Sequence, residues 1–402
     1  MDKRIPSILG RDFIIVGSEK WVSGNQTSKH HIARQLLKRG ARVLYVENIS
    51  MRSFGSEGKK RDLSKAFKAL SRFFAGVHSP LPKLFCFAPV YIPFPRFRIA
   101  RWLNSVAVPL MIRWQAFRLG MKRPVYLYFM PTGVQVQGRL GERLAAYYIV
   151  DNYAAFADVE QEAMRRLEAE ALEKADVVFA TATTLVEARR AVRPDICFSP
   201  HGVDFEHFAQ TRTPETVLPP EARDLPRPVI GFMGGIAHDS VDIGLLKELV
   251  RRRRDWTLFL FGRALTDISA LTSEPNVRFV GPKPYEELPS YLAALDVGLI
   301  PFLVNDLTRD LNPIKLREYL AAGLPVVGTD LPAVRAYAPL VHCAIGVEAF
   351  ENAIKEILEN PPDPESLQSA VMNETWEARV GAVLEAMARK AVSLAEEQSS
   401  VR

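Results

Sequence analysis

Asn312-Pro-Ile-Lys-Leu-Arg-Glu-Tyr-Leu-Ala-Ala-Gly-Leu-Pro-Val-Val327 reads as a short helix that runs directly into a buried strand. Pro313 suits a first helical turn, because the N–H it lacks would have no partner there. Gly323 is the natural stop, and Pro325-Val-Val-Gly328 begins the strand. Leu316 and Leu320 share one face, while Lys315, Glu318 and Tyr319 share another at i, i+3, i+4 spacing. A cation, a carboxylate and free N–H groups at one helix start suit a ligand with both phosphates and hydroxyls, as in a sugar nucleotide.

Working outward, the chain repeats one grammar twice. Asp12-Phe-Ile-Ile-Val-Gly17 is a first buried strand. A helix from about Thr27 to Gly40 follows, then the strand Ala41-Arg-Val-Leu-Tyr-Val-Glu47. Strand, helix and strand in that order predict a parallel, doubly wound α/β sheet. Further strands are expected at Val125–Phe129, Ala146–Val150 and Asp176–Thr181, with a helix over Val159–Lys174. The pattern restarts at Pro228–Met233 and continues through Trp256–Phe261, Val277–Val280 and Val297–Pro301. The expected division is a first domain over 1–205, a linker over 206–227, a second domain over 228–363 and a C-terminal helix over 364–402. That helix, drawn over roughly 364–395, returns to brace the first domain. The loop Gly17–Gly24 lies where such sheets bind ligands but lacks the G-x-G-x-x-G spacing, so a dinucleotide site is not supported.

The 402 residues, 48% hydrophobic, fit a globular chain of two domains. No apolar run approaches the roughly 20 residues that cross a bilayer. Three widely spaced cysteines, Cys86, Cys197 and Cys343, form neither a disulfide framework nor a metal-ligand pattern, and a reducing cytoplasm is the expected setting. The net charge of +6 hides an asymmetry: residues 1–150 hold 26 Lys and Arg against 7 Asp and Glu, leaving 26 against 39 for the rest. The basic half suits nucleic acid, an anionic membrane surface or an anionic substrate. Within it, residues 94–118 alternate basic and bulky apolar residues at roughly helical spacing. Two readings stand: a surface helix with its Trp and Phe packed into the core, or a surface lying in the plane of a membrane.

Pro200-His-Gly-Val-Asp204, Gly231-Phe-Met-Gly-Gly235, Asn276-Val-Arg-Phe-Val-Gly-Pro282, Tyr291-Leu-Ala-Ala-Leu-Asp296 and the 312–327 block occur in an order that resembles the GT-B glycosyltransferases. The likeness is to bacterial enzymes of the broad family-4 type and runs over nearly the whole chain. It implies two facing Rossmann-like domains, with a nucleotide sugar held in the second and the acceptor in the first. By the same resemblance Glu318 binds the ribose hydroxyls. Asp310 stands where the family's first carboxylate does, with Asn305, Thr308 and Asn312 able to share its work. Lys315 meets the diphosphate and neutralises the departing nucleotide. The family's phosphate-binding Arg is absent after Met233, leaving His238 and Arg263 as nearest candidates, and Gly234 and Gly235 admit the phosphates to the backbone. Asp151, at the end of an apolar strand, resembles the catalytic Asp of inverting relatives. Gly24, His30 and His31 are further acceptor-side candidates. His201 either caps a strand end or serves the site.

The expectation is a metal-independent hexosyltransferase without a cofactor, since no Asp-x-Asp occurs. It would use a UDP- or GDP-linked sugar and a glycan or lipid-linked acceptor in polysaccharide or cell-envelope synthesis. It would be cytoplasmic, peripheral on the plasma membrane, and would not bind nucleic acid. A sugar-nucleotide epimerase of the same architecture and a non-catalytic sugar-nucleotide sensor are the alternatives.

Overall fold

The computed structural model describes residues 4–17, 19–21, 26–47, 76–90, 98–156 and 159–400. The chain forms two compact units, 1–199 with 379–402 and 200–378.

The first unit is built on β1 (Asp12–Val16), β2 (Arg42–Val46), β3 (His78–Leu81), β4 (Leu84–Phe87), β5 (Val125–Tyr128), β6 (Leu144–Ile149), β7 (Val177–Ala180) and β8 (Cys197–Phe198). Their order is β3-β4-β2-β1-β5-β6-β7-β8. All neighbours are parallel except β3 and β4, an antiparallel edge pair turned through Lys83 at φ 65°. The continuous apolar runs of β1, β5 and β6 are buried throughout, as expected where helices cover both faces of a parallel sheet. The β3–β4 hairpin falls in a stretch whose sequence lacks clear periodicity.

The second unit holds β9 (Val229–Met233), β10 (Thr257–Phe261), β11 (Val277–Phe279), β12 (Val297–Ile300), β13 (Val326–Thr329) and β14 (Val341–Ala344). They run parallel in the order β11-β10-β9-β12-β13-β14. After β9 the chain winds outward through β10 and β11, and after β12 it winds the other way. The carboxyl ends of β9 and β12 therefore flank the switch point, where sheets of this kind leave a crevice for ligands.

Three expectations are corrected. The boundaries move, because residues 206–227 are not a free linker. Helix Phe205–Ala209 and the short turns Gln210–Arg212 and Pro220–Ala222 belong to the second unit, with Phe208 wholly buried in its core. The helix drawn over 364–395 is two, Pro364–Ser369 and Trp376–Ser400. It breaks because Val203 inserts between them: its N–H donates to Glu374 O (2.9 Å), and the Trp376 N–H donates to Val203 O (3.2 Å). Gly202 is required at that crossing, since a Cβ there would lie 2.6 Å from Trp376 N. The third correction concerns helix Arg98–Arg118, whose aromatic residues do not pack inward. Val108, Ile112 and Ala116 face the core, while Trp102, Trp114 and Phe117 are exposed. Residues 94–97 lie outside the described residues.

Candidate functional site

The 312–327 block forms the expected helix and strand, with one shift of register. The helix spans Ile314–Ala321 and Pro313 precedes it as its N-cap. Gly323, at φ 63°, closes it: the Leu324 N–H reaches back to Tyr319 O and the Gly323 N–H to Leu320 O, both at 2.9 Å. Leu316, Tyr319 and Leu320 are fully buried. Tyr319, grouped in sequence with the ligand face, is a core residue whose hydroxyl accepts the Met233 N–H at 2.8 Å. That bond ties the helix to the end of β9.

Lys315 lies across the switch point. Its Nζ is 4.4 Å from the Phe232 ring centre, on β9, and 4.9 Å from that of Phe302, just past β12. A Cβ on Gly234 would stand 3.0 Å from the same Nζ, so the glycine is what lets the ammonium reach the strand end. Burial lowers the Lys315 pKa to about 8, against the pull of Glu318. Glu318 is buried, and desolvation raises its carboxyl to about 7, with Lys315 opposing and Asp204 adding to the shift. Among the described residues, neither charged group has a hydrogen-bond partner. A buried ion without hydrogen bonds is costly, and such groups persist where a ligand completes them.

Glycines join the neighbouring strand ends. The Gly234 N–H donates to Phe261 O and the Gly262 N–H to Gly281 O, each at 2.9 Å. A Cβ on Gly262, at φ 143°, would lie 1.9 Å from Gly234 O. Gly235 is less tightly placed: a Cβ there would meet Leu265 Cδ1 at 3.3 Å and nothing nearer.

The remaining donor-side candidates divide. Thr308 is fully buried and its hydroxyl donates to Leu303 O, so it is removed as a ligand group. Asn305 caps helix Asp306–Arg309: its Oδ1 accepts the Thr308 N–H at 2.9 Å and its Nδ2 donates to Asp239 O at 2.9 Å. The sequence offers both as polar groups open to a donor; the geometry commits them to holding the loop. Asn312 is buried and accepts from Arg317 Nη1 at 2.6 Å, while Arg317 also donates to Glu374 at 2.6 Å. Asp310 is half-buried at the end of helix Asp306–Arg309, and Arg263 and His238 are exposed.

In the first unit Asp151 follows β6, and burial raises its carboxyl to about 6, with Lys29 opposing and Glu19 adding. Lys29, itself buried, pairs with Glu19 at 3.1 Å, and Thr27 Oγ1 donates to Glu19 Oε2 at 3.0 Å. Glu19 and Lys29 are thus neighbours of Asp151 that sequence reasoning missed, although Glu19 lies in the Gly17–Gly24 loop, at the end of the sheet where ligands bind. His30 is corrected to a structural role. Its Nδ1 accepts the Thr27 N–H at 3.2 Å, Nε2 faces Lys20 O at 3.3 Å, and the ring packs on Trp21 and Tyr45. Burial lowers its pKa. His31 is buried in the same turn, and Gly24 lies outside the described residues. His201 is buried beside Trp376, with ring centres 6.0 Å apart.

Among the described residues, Glu47, His78 and Cys86 bring one possible ligand atom each within 4.8 Å, a grouping not foreseen from the cysteine spacing. Glu47 Oε1 accepts the Trp21 N–H at 2.8 Å, and burial pushes the Cys86 thiol up to about 12.

Residues 227–360 match the family described as Glycosyl transferases group 1. The whole chain superposes on sucrose-phosphate synthase from Thermosynechococcus elongatus with a TM-score of 0.63, covering 97% of this chain and 99% of that one at 16% identity. It superposes on Anabaena HepE, solved with UDP and glucose, at 0.60, covering 97% and 100% at 15% identity. The chain has the GT-B fold, and the stretch that matches the family lies within its second unit. In sequence it is similar to TuaH of Bacillus subtilis, a protein assigned to teichuronic acid biosynthesis as a glycosyltransferase, 36% identical over 138 residues and 33% of this chain. It is also similar to 2-deoxystreptamine glucosyltransferase of Streptomyces kanamyceticus, 29% identical over 198 residues and 45% of this chain. The matches span 34% and 50% of those two relatives' lengths.

Proposed function

We propose that this GT-B chain transfers a hexosyl group from a UDP- or GDP-linked sugar, held by the second unit, to a glycan or lipid-linked acceptor bound by the first. The observation that carries this reading is the unbonded pair of half-buried Lys315, at the switch point of the second sheet, and buried Glu318 on the same helix. Glu318 accepts hydrogen bonds from the ribose hydroxyls, which supply the partners its carboxylate lacks. Lys315, with a pKa of about 8, is mostly charged at neutral pH, and a bound diphosphate holds it so. As the glycosidic bond to the nucleotide breaks, negative charge grows on the β-phosphate, and a preorganised ammonium stabilises it. The glycine-built strand ends let backbone approach the phosphates, so the charge is met without a bridging cation. Asp151 takes the proton of the acceptor hydroxyl, with Lys29 holding its carboxylate in the ionised form near neutral pH.

The relatives support the same direction: TuaH is named for teichuronic acid synthesis, and HepE was also solved with UDP-glucose. Polysaccharide or envelope assembly at an anionic membrane face is the setting we assign. Calorimetric titration with a panel of UDP- and GDP-sugars tests the reading. One or more members should bind, and Lys315→Ala should weaken that binding. No binding to any member would overturn the reading, and isomerisation of a donor supplied alone would make the protein an epimerase instead.

A further inference from the structure

Helix Arg98–Arg118 is apolar on two opposite faces. One face packs Val108 and Ile112 into the core of the first unit. The other carries Ile99, Trp102, Leu103, Val106, Leu110 and Phe117, which recur at three- and four-residue spacing and so form one outward stripe. Ile99, Trp102 and Phe117 are 74%, 64% and 73% exposed. Trp114 extends the stripe and stacks on Phe117 with ring centres 6.0 Å apart. A continuous exposed stripe of this kind marks a binding face rather than the scatter of single apolar residues usual on protein surfaces.

Charge identifies the occupant. Between Asp62 and Glu142 the sequence has no carboxylate side chain and twelve Lys and Arg residues. Arg113 and Arg118 are exposed on the helix itself, and Lys122 and Arg123 directly after it. Aromatic and aliphatic residues on a helix flanked by arginines match the interface of an anionic bilayer. A second copy of the same face would bring arginines onto arginines with no acidic group on the helix to neutralise them. No helix of the described residues is long and apolar enough to cross a membrane. We infer that the Ile99–Phe117 stripe lies in the plane of an anionic lipid surface and docks the first unit there. This takes up the membrane setting proposed above and assigns the face that makes it, but it requires no step of sugar transfer.

The five tryptophans provide the readout. Trp21, Trp256 and Trp376 are buried, so a change in emission on adding lipid reports on Trp102 and Trp114. Full-length protein is mixed, without donor, with phosphatidylcholine vesicles and with vesicles also containing phosphatidylglycerol, at low and high salt. The expected result is co-sedimentation and a blue shift with the anionic vesicles at low salt, weakened by salt. Trp102→Ser combined with Phe117→Ser should lower partitioning about tenfold or more with an unchanged melting temperature, because both side chains are exposed. Arg113→Glu combined with Arg118→Glu should remove the preference for anionic lipid. The inference is overturned if wild-type protein ignores anionic vesicles at low salt, or if the Trp102/Phe117 variant partitions as wild type. It is equally overturned if light scattering finds a dimer that this variant dissolves, since a second copy then covers the stripe. Donor titration is read separately, so either result stands without the other.

Discussion

Glu318→Gln should make the ligand-free protein more stable while removing its donor binding. In an unfolded chain this carboxyl titrates near 4.5, and in the folded protein burial raises it to about 7. The folded state therefore holds the proton more tightly, and stability falls as pH rises through the window from about 4.5 to about 7. At about 1.4 kcal/mol per pH unit, the cost above that window is roughly 3 kcal/mol. Glutamine is neutral throughout and escapes it. Part of the gain is lost, because Lys315 then lacks the opposing charge that offsets its own burial, leaving about 2 kcal/mol. For a unit of this size that is a rise of roughly 4–8 °C in melting temperature at pH 8, shrinking towards zero near pH 4.5. Thermal unfolding of both proteins across this pH range reads the shift. Calorimetry with the bound nucleotide sugar should show a loss of roughly 100-fold or more, since hydrogen bonds to a charged acceptor are each worth about 1.5–3 kcal/mol. The reasoning is refuted if the variant melts at or below wild type at pH 8, or if its advantage is the same at pH 5.

Three other substitutions probe the remaining parts. With the Asp151 carboxyl raised to about 6, wild-type turnover should fall as pH drops through that value, because the base becomes protonated. Asp151→Asn should lower turnover about 100-fold or more, abolish that acid limb and leave donor affinity unchanged; a variant that retains the limb would remove Asp151 from the mechanism. Gly262→Ala sets a Cβ against Gly234 O at φ 143° and should cost roughly 3 kcal/mol or more, read by chemical denaturation. Gly40→Ala, at φ 88° with open space around it, should cost about 1 kcal/mol. Equal losses for the two would show that the strand-end contact is not what demands glycine.

Much of the fold is legible because parallel strands buried on both faces leave uninterrupted apolar runs, as at Phe13–Val16 and Leu258–Phe261. Gly323 is equally readable, since a left-handed helix stop has few other solutions. The failures share physical causes. Asn305 and Thr308 mislead because helix capping and ligand binding call for the same side chains. The outward aromatics of Arg98–Arg118 are ambiguous in sequence because a helix apolar on two faces gives no sign of which one is buried. The break near Thr375 depends on Val203, far away in sequence, pairing with backbone that local propensity would have kept helical. Glu19, Lys29 and Asp151 come from three segments, and only the folded sheet brings their charges together.

The pairing of Val203 with Glu374 and Trp376 has a bearing on inheritance. The chain enters the second unit at residue 200 and leaves it at 378, and those two points are stitched side by side. A unit whose entry and exit adjoin can be lifted out or replaced through a single seam without threading the rest of the polypeptide, the arrangement in which domain insertions are best tolerated. The half assigned to the donor is thus an exchangeable cassette, and a lineage could change the sugar it uses by recombination at that seam while keeping the half that meets the acceptor.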